Sequence, residues 1–239
     1  MTRPRTLSLF AAVAAVVATA AACGGSGSSS GDSQSAGSGK PLVGTFRLTP
    51  GKCTSGAPTG SYFRMIEPHG TLAHGKFFDN PDSTCKDKSF TVQAPGADGG
   101  LETGRYQPSP ATPFDATGNS RAHLITKPGT FTAIRFGIET NRVDPQTHHA
   151  VPPPRIVDTA GKLSGQVEAW SASWNNQYFN QGSPKPDGSR PGLTLPVRGT
   201  YDARTGAFVL TWASQVVGGP FNGFTGYWHL QGHFVAARR

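Results

Sequence analysis

The fold class is decided by three consecutive stretches of the chain: Leu195-Pro-Val-Arg-Gly-Thr-Tyr201, Asp202-Ala-Arg-Thr-Gly206 and Ala207-Phe-Val-Leu-Thr-Trp-Ala-Ser-Gln215. In the last of them Phe208, Leu210 and Trp212 recur at every second position, which places them on one face of a strand. A Gly-containing connection of five residues between two such runs predicts a β-hairpin. Gly218-Gly-Pro220 then turns the chain, and a third strand is predicted from Phe224 to Phe234.

The rest of the chain supports an all-β domain. It has 31 Gly and 20 Pro in 239 residues, a density that disfavours long helices, and no window of a dozen residues has a 3.6-residue period. Aromatic residues make up 10%, enough to build a core. We predict one antiparallel β-sandwich or flattened barrel over residues 40–239, with long Gly/Pro-rich loops. Further strands are expected at Leu42–Leu48, Ser61–Ile66, Ser89–Gln93, Phe131–Ile138 and Leu163–Trp170.

The N-terminal segment predicts export. Arg3 and Arg5 precede an uncharged Ala/Val-rich stretch that ends in Ala20-Ala21-Ala22, so residues 1–22 are interpreted as a signal peptide. Cys23 follows at once, and residues 24–39 are a Gly/Ser-rich run. This order predicts a lipoprotein signal peptide, a Cys23 that carries acyl chains such as palmitate, and a flexible tether over residues 23–39. Plain secretion after cleavage behind Ala22 stays open as the alternative.

Charge and cysteines agree with a location outside the cytoplasm, on the outer face of the membrane. Without residues 1–22 the chain has 20 basic and 14 acidic residues, a net charge of +6 that fits weak attraction to anionic envelope polymers better than nucleic acid; a charge that serves solubility alone is the alternative. Cys53 and Cys85 are the only cysteines of the domain and are expected to form a disulfide in an oxidising compartment.

Two segments are candidate ligand-binding surfaces. On the strand predicted around Tyr227, the residues Tyr227, His229, Gln231 and His233 fall on one face and offer polar and aromatic groups in a row. The segment from Trp170 to Gly182 combines two Trp at even spacing with several amides, a composition that suits a glycan. The alternatives are the solvated face of an antiparallel sheet for the first segment and core packing for the second. The proposed binding residues are Trp170, Trp174, Asn176, Tyr178, Tyr227, His229 and His233.

Most catalytic, metal and cofactor signatures are missing from the sequence, and the one Gly-x-Ser-x-Gly match, Gly27–Gly31, falls in the Gly/Ser-rich run and is interpreted as a matter of composition. His229 and His233 are about 13 Å apart on a strand, too far for one zinc ion, and no cofactor motif occurs. A glycan hydrolase needs two carboxylates, which the sequence cannot pair. Its candidates, none of them favoured, are Asp79, Asp82, Glu102, Asp115, Glu139 and Glu168.

Four segments carry a resemblance to an uncharacterised group of secreted lipoproteins of high-GC Gram-positive bacteria: Ser61–Met65, Asp98–Gly104, Phe179–Ser189 and Gly218–Gly232. The chain departs from the usual lipoprotein pattern at Ala20, where Leu is common. The resemblance supports lipidation and implies no activity or functional residue.

The function that these patterns favour is an envelope-anchored binding protein for a glycan or small polar molecule. A glycan hydrolase and a structural lipoprotein that binds another envelope protein are the two alternatives. The sequence leaves the oligomeric state open.

Overall fold

The computed structural model describes residues 39–238, which form fifteen β-strands and no helix. The strands are β1 (Lys40–Leu42), β2 (Gly44–Leu48), β3 (Tyr62–Thr71), β4 (Gly75–Phe77), β5 (Thr91–Val92), β6 (Gly100–Glu102), β7 (Gly129–Phe131), β8 (Ile134–Thr140), β9 (Arg155–Thr159), β10 (Lys162–Gln166), β11 (Trp170–Trp174), β12 (Gln177–Asn180), β13 (Leu195–Tyr201), β14 (Ala207–Gln215) and β15 (Thr225–Ala236). The predicted all-β class is confirmed. Residues 1–38, with the predicted signal peptide and Cys23, lie outside the described residues.

An eleven-stranded antiparallel sheet curls into a half-barrel. Its main path runs β1-β9-β10-β13-β14-β15-β2-β6, and the hairpin of β13 and β14 is the one predicted from the sequence. The long strand β15 serves two partners along one edge. Its first part, Thr225–His229, pairs with β3, and Gly232–Ala236 pairs with β2.

A second antiparallel sheet has four strands in the order β12-β11-β8-β7. The strand predicted from Leu163 to Trp170 is wrong as a single element. Its first half belongs to β10 of the half-barrel and its last residue begins β11 of the four-stranded sheet. Between them the chain turns, with the Trp170 amide donating to the Val167 carbonyl oxygen (2.9 Å).

The core lies between the two sheets. Trp228 of the half-barrel and Trp170 of the four-stranded sheet meet edge-to-face with ring centroids 5.2 Å apart, and Phe63 meets Phe136 at 6.0 Å. Both Trp side chains are fully buried. The fold is therefore a half-barrel covered on its inner side by a second sheet, which places it between the predicted sandwich and barrel.

The Cys53–Cys85 disulfide is confirmed, with the two Cα atoms 5.1 Å apart. It closes a loop with a sequence separation of 32 residues beside strand β3. In the chain-entropy model a loop of this length stabilises the fold by about 3.5–4 kcal/mol.

Candidate functional site

The outer face of strand β15 carries the row of polar side chains that its alternation predicts. Trp228 and Leu230 are buried in the core, while Tyr227, His229 and Gln231 are partly exposed between them. The strand stays in one register against β14 over its whole length up to His233, so the alternation is unbroken. The outer face of the half-barrel therefore presents these groups to solvent in one line.

Strand β3 adds two residues to this row. Tyr62 lies opposite His229 and Arg64 lies opposite Tyr227 in the antiparallel register. The Tyr62 and His229 rings are stacked, with centroids 4.5 Å apart and planes within 8° of parallel, and Tyr227 lies 6.3 Å from Tyr62. Tyr62, Arg64, Tyr227 and His229 form what we call the outer platform.

The Arg64 guanidinium is held in place from three sides. Its Cζ atom lies 3.3 Å from the ring centroid of Phe77 and 4.0 Å from that of Phe90. Its Nη2 donates to the Ser89 hydroxyl (2.7 Å), which in turn donates to the Asp87 carboxylate (2.6 Å). Two aromatic faces and a hydrogen-bonded chain fix the position of this cation before any ligand arrives.

The platform carries one positive charge at neutral pH. Burial, and next the neighbouring Tyr227, raise the pKa of Tyr62 to about 12, and burial also raises the pKa of Tyr227. Burial lowers the pKa of His229, which is therefore neutral at pH 7 and can accept a hydrogen bond as well as donate one. Burial lowers the pKa of Arg64 too, yet a guanidinium remains charged.

Two surface depressions lie beside the platform, one containing Tyr227 and the other Arg64. The first has a volume of about 250 Å³ and is bordered by Arg198, Thr211 and the tip residue Leu72 of the β3–β4 hairpin. The second has a volume of about 630 Å³ and lies next to the disulfide, bordered by Lys86, Asp87 and the 54–57 loop. An extended polar ligand can lie on the platform with its ends in the two depressions.

Trp170 does not belong to any surface, contrary to the sequence interpretation. Its side chain is 0% exposed, and its ring packs edge-to-face on Trp212 at 5.0 Å. The even spacing of Trp170 and Trp174 on one face is real, but that face points to the core. A large apolar ring gains most by burial there.

Trp174, Asn176 and Tyr178 lie on the four-stranded sheet, on different strands from the outer platform. Trp174 donates from Nε1 to the Phe131 carbonyl oxygen (2.8 Å). Asn176 occupies the two-residue turn between β11 and β12, where it and Asn175 both have positive φ (58° and 49°). Tyr178 packs on Phe114 at 5.3 Å. The seven predicted binding residues therefore do not form one surface.

His233 lies further along β15 from the platform. It is exposed and opposite Arg47 of strand β2. Its place on the same outer face as His229 agrees with the predicted alternation, two residues beyond Gln231.

Sequence reasoning missed Tyr62 and Arg64 as site residues. The alternating stretch Ser61–Ile66 was visible as a strand. Its pairing with β15, about 160 residues later, depends on the tertiary fold, because nothing local specifies which strand becomes a neighbour.

Among the six acidic residues proposed for hydrolysis, Glu139 and Asp115 accept hydrogen bonds within the fold, and Asp144, which was not among the six, lies near Glu139. Glu139 is fully buried, accepts a hydrogen bond from the Ser173 hydroxyl (2.9 Å), and burial raises its pKa well above the usual value. Asp144, whose charge also acts on Glu139, is 1% exposed. Asp115 ties a turn by accepting from the amides of Thr117 and Asn119. None of these contacts favours a catalytic pair of carboxylates.

Two further findings concern residues 39–238 as a whole. No three His, Cys, Asp or Glu side chains in this range are grouped so that they could hold a metal ion. The same range contains no helix long and apolar enough to cross a membrane.

Comparison with protein-family models, with curated proteins and with solved structures finds no match for this chain.

Proposed function

We propose that this protein binds an anionic glycan outside the cytoplasm through the outer platform. The observation that carries the proposal is the stacked pair of Tyr62 and His229 beside the fixed Arg64 guanidinium, on a partly exposed sheet face with two depressions. Aromatic rings pack on the C–H surfaces of sugars, and a preorganised guanidinium donates charge-assisted hydrogen bonds to carboxylate or phosphate groups.

The hydrogen-bonding groups around the rings suit sugar hydroxyls. Gln231 follows His229 on the same face, and Thr211 of strand β14 lies opposite His229. Arg198, which lies opposite Thr211, is exposed and adds a second cation. These rings, the Gln231 amide and the two cations lie along neighbouring strands and can contact several sugar units of an extended chain.

The location is part of the proposal. The disulfide indicates a protein that folds outside the cytoplasm. We propose that acyl chains on Cys23 anchor it to the outer face of the membrane, with the Gly/Ser-rich tether before residue 40 giving the domain reach towards envelope polymers. Mass spectrometry of the membrane fraction tests the anchor. The wild type should carry the acyl mass on Cys23, whereas a Cys23→Ala variant should lack it and appear in the medium.

Binding is tested by titrating the purified protein with three polymers: poly(glycerol phosphate), a uronate-containing polysaccharide and neutral dextran. We expect an anionic polymer to bind, and binding to weaken several-fold when NaCl rises from about 0.05 M to about 0.5 M. Tyr62→Ala and His229→Ala should each weaken binding by about tenfold or more, because each removes one ring of the stacked pair. Dextran should bind at least tenfold more weakly.

His149→Ala provides the matched control, since His149 is an exposed histidine in the 141–150 loop, away from the platform strands. It should bind as the wild type does. Failure of both anionic polymers to bind would refute the proposal and favour a protein partner, which crosslinking on intact cells would detect. Equal losses in the His149 and His229 variants would show that the platform is not the site.

A further inference from the structure

An apolar pocket of about 50 Å³ lies between the half-barrel and the four-stranded sheet; we call it the cavity. Seven of its eleven lining residues are aromatic, and Gln181 is the only polar one. Phe63 and Trp228 line it from the half-barrel, and Phe136, Trp174 and Phe179 line it from the four-stranded sheet. These side chains alternate along β3 and β15 with those of the outer platform, so the cavity and the platform lie on opposite faces of the same strands.

The wall of this cavity includes one ring that comes from the loop between β14 and β15. Phe221 is partly exposed and packs against Trp174 (ring centroids 5.4 Å apart) and Phe131 (5.8 Å). Its loop contains Gly218, Gly219 and Gly223 in left-handed conformations (φ 82°, 66° and 86°). Glycine allows such a loop to change its backbone angles at little cost, so the ring can leave while both sheets stay in place.

We propose that a small molecule with one apolar aromatic ring binds in this cavity by taking the place of the Phe221 ring. The cavity alone is too small, since benzene needs roughly 150 Å³ of apolar space. The cavity together with the position of a phenyl ring supplies that space. The chain's own Phe221 shows which chemistry the position accepts, because its neighbours already surround an aromatic ring at tilted and edge-to-face angles.

This site takes an apolar ligand and lies between the two sheets, whereas the glycan proposal concerns a charged ligand on the outer face of the half-barrel. Neither depends on the other, and their tests use different probes.

Toluene is the probe, titrated into the purified protein and followed by intrinsic tryptophan fluorescence and by NMR shifts of backbone amides. We expect saturable binding with the largest shifts at Ala172, Val216 and Phe221. Phe221→Ala should bind toluene about tenfold or more tightly, because the ligand no longer competes with a ring of the protein. Ala172→Leu, which projects a larger side chain into the cavity from β11, should weaken binding about tenfold or more.

Val217→Ala is the matched control, because Val217 lies in the same loop and is 51% exposed. It should bind as the wild type does, and circular dichroism melting verifies the fold of every variant. If one of the cavity variants does not fold, the other still decides. The proposal is overturned if toluene causes no saturable change in the wild type, or if the folded cavity variants bind toluene as Val217→Ala does.

Discussion

Each of the two sheets has one face that points away from the core, and these two faces differ in their exposure to solvent. The outer face of the half-barrel leaves Tyr227 and His229 partly exposed. The corresponding face of the four-stranded sheet carries Ser171, Ser173 and Glu139, all 0% exposed. Strands β11 and β15 both alternate apolar and polar residues, so alternation alone does not distinguish a solvent-exposed face from a covered one.

The difference comes from a long loop. Residues 105–122 lie over the four-stranded sheet, where the Ser120 and Ser173 hydroxyls are 2.6 Å apart and the Ser120 amide donates to the Arg135 carbonyl oxygen (3.0 Å). Phe114 of the same loop packs on Tyr178. This Gly/Pro-rich loop therefore forms a third layer over the four-stranded sheet. The cover over the platform of the half-barrel is partial: Phe90 packs edge-to-face on Tyr62 with ring centroids 5.2 Å apart, yet Tyr62, Tyr227 and His229 remain partly exposed, which is why we place the ligand there.

The largest expected effect is the loss of stability when a buried aromatic ring between the sheets is removed, compared with the removal of a ring on the outer platform. Trp170→Ala should lower the free energy of unfolding by about 3–5 kcal/mol, since it empties a fully buried site between Trp212 and Trp228. Tyr227→Ala, on the outer platform, should cost about 1 kcal/mol. Urea unfolding followed by circular dichroism measures both. Equal costs would mean that Tyr227 is as much a core residue as Trp170.

Because Glu139 lies on the covered face of the four-stranded sheet, the free energy of unfolding should depend on pH. Burial raises the pKa of Glu139 in the folded state. Above pH 4.5 the Glu139 carboxyl therefore stays protonated in the folded protein, whereas it loses its proton in the unfolded chain. Stability from this group is complete below that pH and falls by about 1.4 kcal/mol per pH unit until the raised pKa is reached. Glu139→Gln lacks this loss because its amide does not titrate.

Urea unfolding of the wild type and Glu139→Gln at pH 4.5, 5.5 and 6.5 tests this expectation, since the pH dependence of groups that do not interact with Glu139 cancels in the difference. The variant should gain stability relative to the wild type at each step. A difference that stays constant over this range would contradict the buried, protonated carboxyl.

The smallest expected effect concerns Arg64, the cation of the outer platform. Arg64→Lys replaces a planar guanidinium between Phe77 and Phe90 by an ammonium that stacks less well, and should lower the free energy of unfolding by about 1 kcal/mol. Arg198→Lys, an exposed arginine on the same sheet, is the control and should change it by less than about 0.5 kcal/mol. Chemical unfolding resolves the two values. No difference between the variants would show that the stacking does not fix Arg64.

The sequence by itself determined the all-β class, the hairpin of β13 and β14, the Cys53–Cys85 pair and the alternation on β15. Each of these depends on neighbours in the chain or, for the disulfide, on there being two cysteines in the domain. Periodicity and turn residues act over a few residues, and a strand records them directly.

The tertiary structure alone decided which faces were buried and which stayed partly exposed. The pairing of β3 with β15 brought Tyr62 and Arg64 to Tyr227 and His229, and the packing of the second sheet turned Trp170 inward. The same second layer left a small aromatic cavity behind Phe221. The physical reason is that alternation distinguishes the two faces of a strand but does not tell whether a further layer covers the second face, and that layer is supplied by residues distant in the chain.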